Sequence, residues 1–312
     1  MRRWTLVLAC LGLGGCDCAD LESSNRYQSD FHYSYALNPG GRLEVENFNG
    51  AVEITGWDQN QCEITGVKSA STVQMRDRIK IEVQHSPDGI YVRSVRPDGD
   101  FHGSMGVHYV IRVPRKTELS RIISSNGSLH VEQIEGRAEL KTTNGPVHVE
   151  ALHGMLNAHT SNGSVTAENV TGAMLLHTSN GPIRAERITA GVEASTSNGS
   201  ITAHFDDGVA GPAAFSKFET SNGKIDLTVS APPKSEIRAQ TSNSSITLRL
   251  PASTAAKIRM ATSHGQVRSD FEAEHARAEQ HGRHQTLEET IGGGGPLIDL
   301  HTTNGSIRVL RL

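Results

Sequence analysis

The chain has 312 residues, a formal net charge of −4 and a charged fraction of 21%. This balance excludes the basic excess typical of nucleic-acid-binding proteins and gives no strong attraction to anionic membranes. Aromatic residues are only 4% of the chain and glycines number 31, which suits many short strands and tight turns better than a helical or α/β enzyme. We expect an all-β protein with no nucleic-acid partner.

Residues 1–16 have the organisation of a bacterial lipoprotein signal peptide. Arg2 and Arg3 supply a short positive region, and residues 4–13 form an apolar run that is too short to span a bilayer. The run ends in Leu13-Gly14-Gly15-Cys16, which resembles the lipobox that precedes a lipidated cysteine. An ordinary secretory signal that happens to contain a cysteine is the alternative. We predict lipidation at Cys16 and a place in the bacterial cell envelope, with the lipid in the inner or the outer membrane.

The cysteines give no disulfide prediction. Cys10 would leave with the signal peptide, and Cys16 would carry the lipid. Cys18 and Cys62 remain, and two such thiols can pair in an oxidising compartment. Nothing in the sequence brings these two residues together, so their pairing stays open.

Two segments precede the regular part of the chain. Residues 17–40 are interpreted as a tether, polar at first and able to form an edge strand around Phe31–Tyr35. Residues 41–120 include stretches such as Ile79–Val83 in which apolar and polar residues alternate. A period of two is typical of strands. We predict an N-terminal β capping region over residues 41–120, continuous with the repeats that follow.

A hexapeptide repeat organises residues 121–267. Four of the eight copies read Thr-Ser-Asn-Gly followed by Ser, Pro or Lys and then Val or Ile, and the other four are close variants. The first five asparagines lie 18 residues apart. The spacing then lengthens, and His264 replaces the asparagine in one copy. Asn-Gly tolerates positive φ, which we expect at a sharp corner. The corner asparagines are predicted to stack as a structural turn ladder, namely Asn126, Asn144, Asn162, Asn180, Asn198 and Asn222.

Each 18-residue unit contains two short stretches of period two, separated by Asn-Gly and by a second glycine such as Gly136. One unit cannot bury its own apolar face, whereas units stacked about 4.8 Å apart close a continuous core. We therefore predict a parallel, right-handed β-solenoid with about 18 residues per coil. A β-sandwich of hairpins is the alternative, because Asn-Gly is also a hairpin signal. Two inward ladders are expected: Val147, Val165, Ile183 and Ile201, and Thr142, Thr160, Thr178 and Thr196.

The repeat breaks over residues 268–296. This segment is rich in Glu and His and ends in four glycines, and we interpret it as a polar excursion that is helical in part. His275, His281 and His284 lie within it at spacings too irregular to indicate a metal site. Residues 297–312 return to the pattern and are predicted to add the final coil.

Three stretches of the chain resemble the DUF4097 family of candidate adhesins. They are Glu44 to Asp58, the repeated Thr-Ser-Asn-Gly-Ser-Ile units, and the ending from Gly292 to Ile307. The resemblance covers nearly all of the chain after residue 40. It implies a β-helical, exported or envelope-associated protein without established catalytic residues.

Motifs that need a fixed catalytic geometry are missing: there is no His-Glu-x-x-His, Gly-x-Ser-x-Gly, P-loop or Cys-x-x-Cys. Outward positions do recur as columns, with Glu132, Glu150, Glu168 and Glu186 in one, and Lys141, His159 and His177 in another. Such columns could bind a cation or act as an acid–base strip. Repeat duplication alone also produces them, so we interpret them as a solvated face. We predict no catalytic residue, no metal and no cofactor.

The sequence therefore predicts a non-enzymatic cell-envelope lipoprotein that presents a β-solenoid scaffold for adhesion or protein interaction. Its protein or surface partner is not identifiable from the residues. The alternative is a polysaccharide-binding or polysaccharide-degrading β-helix. Sugar sites use aromatic side chains as stacking platforms, and residues 126–203 contain no Trp, Tyr or Phe, which counts against that alternative.

Overall fold

A computed structural model describes residues 27–99, 103–206 and 215–312. The lipobox with Cys16, and the first part of the tether, lie outside the described residues. Within them, nearly all regular structure is β-strand. The strands form two long sheets, which we call sheet A (13 described strands) and sheet B (14 described strands).

The regular part of the chain alternates between the two sheets. Successive strands within one sheet are parallel and in register, so that Val147 lies beside Val165 and Val165 beside Ile183. The prediction of a parallel β-solenoid is thus confirmed, and the hairpin sandwich is wrong, because each Asn-Gly corner leads into the opposite sheet. The strands are β8 Glu118–Ser124, β9 Leu129–Glu135, β10 Ala138–Thr142, β11 Val147–His153, β12 Leu156–His159, β13 Val165–Val170, β14 Met174–His177, β15 Ile183–Ile188, β16 Val192–Thr196, β17 Ile201–Phe205, β18 Ser216–Thr220, β19 Ile225–Val229, β20 Ile237–Thr241 and β21 Ile246–Leu250.

The core lies between the inner faces of sheets A and B. Val147, Val165, Ile183 and Ile201 are buried there, as the 18-residue spacing predicts. The threonine ladder is buried as well, and each hydroxyl satisfies its hydrogen-bonding need on the backbone of the previous coil. Thr160 Oγ1, for example, donates to the carbonyl oxygen of Gly145 at 2.9 Å. A polar row inside the core is tolerable because its donors are paired.

Positive φ values do not occur where we expected them. The glycines that follow the corner asparagines after residue 120 are not among the positive-φ residues. By contrast, Gln133, Ala151, Asn169 and Arg187 have φ values between 52° and 58°. These four residues are also spaced by 18 and follow the glutamate column. They bend the strands of sheet A and allow Ile134 and its equivalents to turn inward. The expectation of positive φ at Asn-Gly is therefore wrong for these corners, which need glycine for a different reason given below.

The N-terminal region adds two further coils and antiparallel edge strands. Strand β3 lies between β7 and β9, and β2 between β6 and β8, so the first coil of the chain is an inner one. Strands β1, β4 and β5 then extend the two sheets in antiparallel fashion. The elements are β1 Tyr27–Ala36, β2 Arg42–Asn47, β3 Val52–Trp57, β4 Gln61–Ala70, α1 Val73–Arg78, β5 Lys80–Ser86, β6 Gly89–Val95 and β7 Met105–Pro114.

The C-terminal end is interleaved in the same way. The elements are β22 Ala256–Thr262, β23 Val267–Ser269, β24 His275–His281, β25 His284–Ile291, β26 Leu297–Thr302 and β27 Ile307–Arg311. Strand β26 lies between β20 and β22, and β27 between β21 and β23. Residues 297–312 are thus the last coil of the chain but not of the stack. They lie between two coils that precede them in sequence. The expectation that they add the final coil therefore holds for the order of the chain but not for the order of the stack.

The excursion is a β-hairpin, and the expectation of helix is wrong. Strand β24 pairs with β25 through His281 and His284 beside the turn, and β25 pairs with β22 over seven residues. Ala, Glu and Arg favour helix locally, but the open edge of β22 offers backbone partners along its whole length. Tertiary pairing overrides the local preference here.

Candidate functional site

The Asn-Gly corners form one continuous edge of the molecule. From Asn144 onward, each asparagine donates from Nδ2 to Oδ1 of the asparagine one coil before. The distance is 2.7 Å between Asn162 and Asn144 and 2.8 Å between Asn180 and Asn162. Asn243 and Asn304 extend the predicted ladder beyond Asn222. The amides are at the surface, but each asparagine within the ladder is hydrogen-bonded to the asparagine before it and to the one after it.

The corner glycines allow the coils to approach each other closely. A Cβ placed on Gly163 would lie 1.9 Å from the carbonyl oxygen of Gly145 and 2.4 Å from its carbonyl carbon. The same close approach recurs at Gly181 and Gly199. Threonine, asparagine and glycine of one motif therefore have distinct roles: a buried hydrogen bond, a surface hydrogen bond and room for the neighbouring backbone.

The predicted glutamate column lies on the outer face of sheet A. Glu132, Glu150, Glu168 and Glu186 are in register on β9, β11, β13 and β15. Two of the four glutamates, Glu168 and Glu186, form ion pairs with arginines. Arg187 Nη2 lies 3.1 Å from the carboxylate of Glu168, and Arg184 Nε lies 2.8 Å from that of Glu186. The other two glutamates, Glu132 and Glu150, have histidines as their ion-pair partners within the described residues.

Those histidines were missed in the sequence analysis. His130 and His148 share one column, and their rings stack with centroids 4.9 Å apart and planes at 9°. Each Nε2 lies 4.0 Å from Oε2 of the glutamate two residues on, Glu132 or Glu150. The spacing of 18 between His130 and His148 is the signal that would have revealed the pair.

The second histidine column, on sheet B, has different neighbours. His159 and His177 stack with centroids 4.7 Å apart, and Lys141 lies in register beside His159. Burial, together with the positive charges of His177 and Lys141, lowers the pKa of His159. His177 Nδ1 lies 2.7 Å from Ser195 Oγ. The surroundings of His159 therefore disfavour positive charge on its ring.

Among the described residues, His177 and Cys62 are side chains of types that serve as bases or nucleophiles. The contact of His177 with Ser195 has two parts of a nucleophilic site, but no carboxylate among the described residues forms an ion pair with His177 to orient it. Cys62 is fully buried, and burial raises the pKa of its thiol to about 12, so it is not a nucleophile at neutral pH. No three His, Cys, Asp or Glu side chains of the described segments converge on one point as they stand.

The contacts of each glutamate determine how its replacement by glutamine should change the stability of the protein. We expect Glu150→Gln to leave the melting temperature unchanged or raise it slightly, because it removes repulsion between stacked carboxylates. Glu168→Gln removes an arginine partner as well, so it should be neutral or lower stability by a few tenths of a kcal/mol. Differential scanning calorimetry at low and high salt measures this, and screening should shrink both effects. A shift of the parent's melting temperature with millimolar calcium that is absent from the Glu150→Gln/Glu168→Gln double variant would contradict the interpretation as a solvated face.

Comparison with known proteins decides the family. The family model described as Toastrack DUF4097 matches residues 41–310. The chain belongs to this family. The resemblance inferred from the repeats and the two ends is thereby confirmed. A search of curated proteins finds no match.

Several solved structures are similar to this Toastrack chain at low identity. They include a candidate adhesin from Bacteroides fragilis (13% identity, 90% of this chain and 97% of that one covered, TM-score 0.40). Another candidate adhesin, from Parabacteroides distasonis, shows 10% identity, coverage of 92% and 98%, and a TM-score of 0.42. A candidate cell adhesion protein from Clostridium sporogenes shows 11% identity, coverage of 91% and 100%, and a TM-score of 0.21.

Other predicted features of the Toastrack chain can now be placed. His275, His281 and His284 lie on the C-terminal hairpin, where His275 faces Thr290 and the other two face each other. In the ranges that the structure covers, no helix is long and apolar enough to cross a membrane. The lipidation prediction for Cys16 falls outside those ranges and stays a prediction.

Proposed function

We propose that this Toastrack protein is a non-enzymatic lipoprotein of the bacterial cell envelope, anchored through Cys16, that presents its solenoid for adhesion or protein interaction. One observation carries the proposal: equivalent residues of successive coils are in register, so outward side chains form straight columns along both sheets. Such a surface offers a long, repeated contact area. It does not gather reactive groups at one point, as catalysis requires.

The proposed role also suits the way the corners are built. Paired amides and close glycine contacts run along the same edge, which holds the coils at a fixed spacing. A polysaccharide-binding role gains no support from the aromatic residues. Among the most exposed large apolar side chains of the described residues, Tyr27 is the one aromatic.

The anchor is tested by replacing Cys16 with serine. We expect the variant to lose acyl labelling and to leave the membrane fraction, because the lipid is the membrane-binding element. Cys10→Ser, within the apolar run of the signal peptide, is the matched control and should behave as the parent does. Normal membrane association of the Cys16 variant would show that the anchor is elsewhere.

The interaction surface is tested by site-directed photo-crosslinking in intact cells. A photoreactive residue is placed at outward positions of sheet A (Thr166), sheet B (Asn157) and the corner edge (Ser161). Adducts with one discrete partner from one of these surfaces, and not from the other two, are expected for an adhesive or assembly scaffold. Crosslinks of equal yield from all three positions, or polysaccharide cleavage by the purified parent, would overturn the proposal.

A further inference from the structure

Sheet A carries an unusual combination of donors near its N-terminal end. On one column, Glu53, His130 and His148 occupy successive strands β3, β9 and β11. On the next column, Glu132 and Glu150 stand beside the two histidines. Imidazole nitrogens and carboxylate oxygens therefore face each other in two columns of one flat, accessible patch.

The charges of this patch are not balanced by lysine or arginine. The ion-pair partners of Glu132 and Glu150 within the described residues are His130 and His148, whereas Glu168 and Glu186 in the same column have arginines. Two stacked carboxylates repel each other across one coil spacing. A cation bound between the two columns would relieve that repulsion.

We propose that His130, His148, Glu132 and Glu150 bind a divalent transition-metal cation of the zinc type. Imidazole together with carboxylate is a ligand set that suits such a cation, whereas calcium and magnesium prefer oxygen ligands alone. The site goes beyond the scaffold role, since it depends on neither the lipid anchor nor the identity of a surface partner.

Within each strand, the imidazole and carboxylate donors lie close to the spacing that coordination needs. Ligand atoms of a tetrahedral zinc ion lie roughly 3.4 Å apart, given bond lengths of about 2.0–2.2 Å. The pairs His130 Nε2–Glu132 Oε2 and His148 Nε2–Glu150 Oε2 are 4.0 Å apart. All four side chains are 35% to 47% exposed, so rotation can draw them together without disturbing the core.

The chain contains its own control in the second histidine pair. His159 and His177 stack at nearly the same distance, 4.7 Å between centroids. Their immediate neighbours in the column are Lys141 and Ser195 instead of carboxylates. If stacking alone sufficed, both pairs would bind the cation; the proposal assigns binding to the pair with glutamates.

Zinc competition against a chromogenic chelator tests the site, with the full-length protein in detergent at neutral pH. We expect the parent to withdraw zinc from the chelator, and a His130→Asn/His148→Asn variant to bind at least about ten-fold more weakly. Glu132→Gln/Glu150→Gln should weaken binding as well. His159→Asn/His177→Asn should match the parent, and calcium or magnesium should not displace the zinc. Melting curves without metal establish that each variant is folded.

Three results would overturn the proposal. The first is a parent that leaves the chelator fully loaded with zinc. The second is a folded His130→Asn/His148→Asn variant with the parent's affinity, since zinc would then be held elsewhere, for example by Cys18 or the hairpin histidines. The third is equal weakening in the His159→Asn/His177→Asn variant, which would mean that the glutamates contribute nothing.

Discussion

Gly163→Ala is expected to destabilise the protein by about 3 kcal/mol, because the added methyl group overlaps backbone atoms that cannot move independently. The new Cβ would lie 1.9 Å from the carbonyl oxygen of Gly145 and 2.8 Å from the nitrogen of Pro146. Relief requires the two coils to separate, which also stretches the hydrogen bond from Asn162 to Asn144. Chemical denaturation followed by circular dichroism measures the loss.

One coil provides the matched control for this substitution. Ser244 stands where the other corners have glycine, so this corner already accommodates a Cβ. Ser244→Ala should therefore change stability by less than about 0.5 kcal/mol. If Gly163→Ala proved no more costly than Ser244→Ala, close approach of the backbones would not be the reason for glycine at these corners.

Asn162→Leu is expected to cost roughly 1–3 kcal/mol, because it removes two hydrogen bonds and leaves both neighbouring amides without that partner. Asn162 Nδ2 donates to Asn144, and Asn162 Oδ1 accepts from Asn180. Water can replace part of this loss, since the corner is at the surface. Thermal and chemical denaturation of the variant measure the effect.

Asn304→Leu is the control for ladder position and should cost about half as much. Asn304 Nδ2 donates to Asn243 Oδ1 at 2.9 Å. The coil on the other side has His264 at the corner, and there the backbone N–H of His264 donates to the carbonyl oxygen of Thr303. One side-chain bond is lost instead of two. Equal and negligible losses at Asn162 and Asn304 would show that the amide ladder does not stabilise the stack.

Residues with a strict period were the predictable ones. A spacing of 18 between Val147, Val165 and Ile183 requires parallel neighbours, because only parallel stacking repeats the same face at each coil. The same spacing predicted the asparagine, threonine and glutamate rows. It also predicts that His130 and His148 lie side by side, because these two histidines of the candidate metal site are 18 residues apart as well.

The remaining features depend on information that a local pattern does not contain. The left-handed residues include Gln133 and Ala151, which have no preference for that conformation, so only the bend of the stacked strands selects it. The order in which the terminal coils stack could not be predicted from the sequence either. Every coil edge offers equivalent backbone donors and acceptors, and the sequence alone does not say which edge residues 297–312 will occupy.

The interleaved C-terminus makes the last stretch of chain an internal layer. Strands β26 and β27 separate the coil of β20 and β21 from the coil of β22 and β23. A protein shortened by premature termination before residue 297 would lose the middle of this stack while keeping its outermost coil, which would then have no parallel neighbour on either sheet. Closure of this part of the stack therefore requires residues 297–312, and products that lack them expose strand edges that proteases can attack.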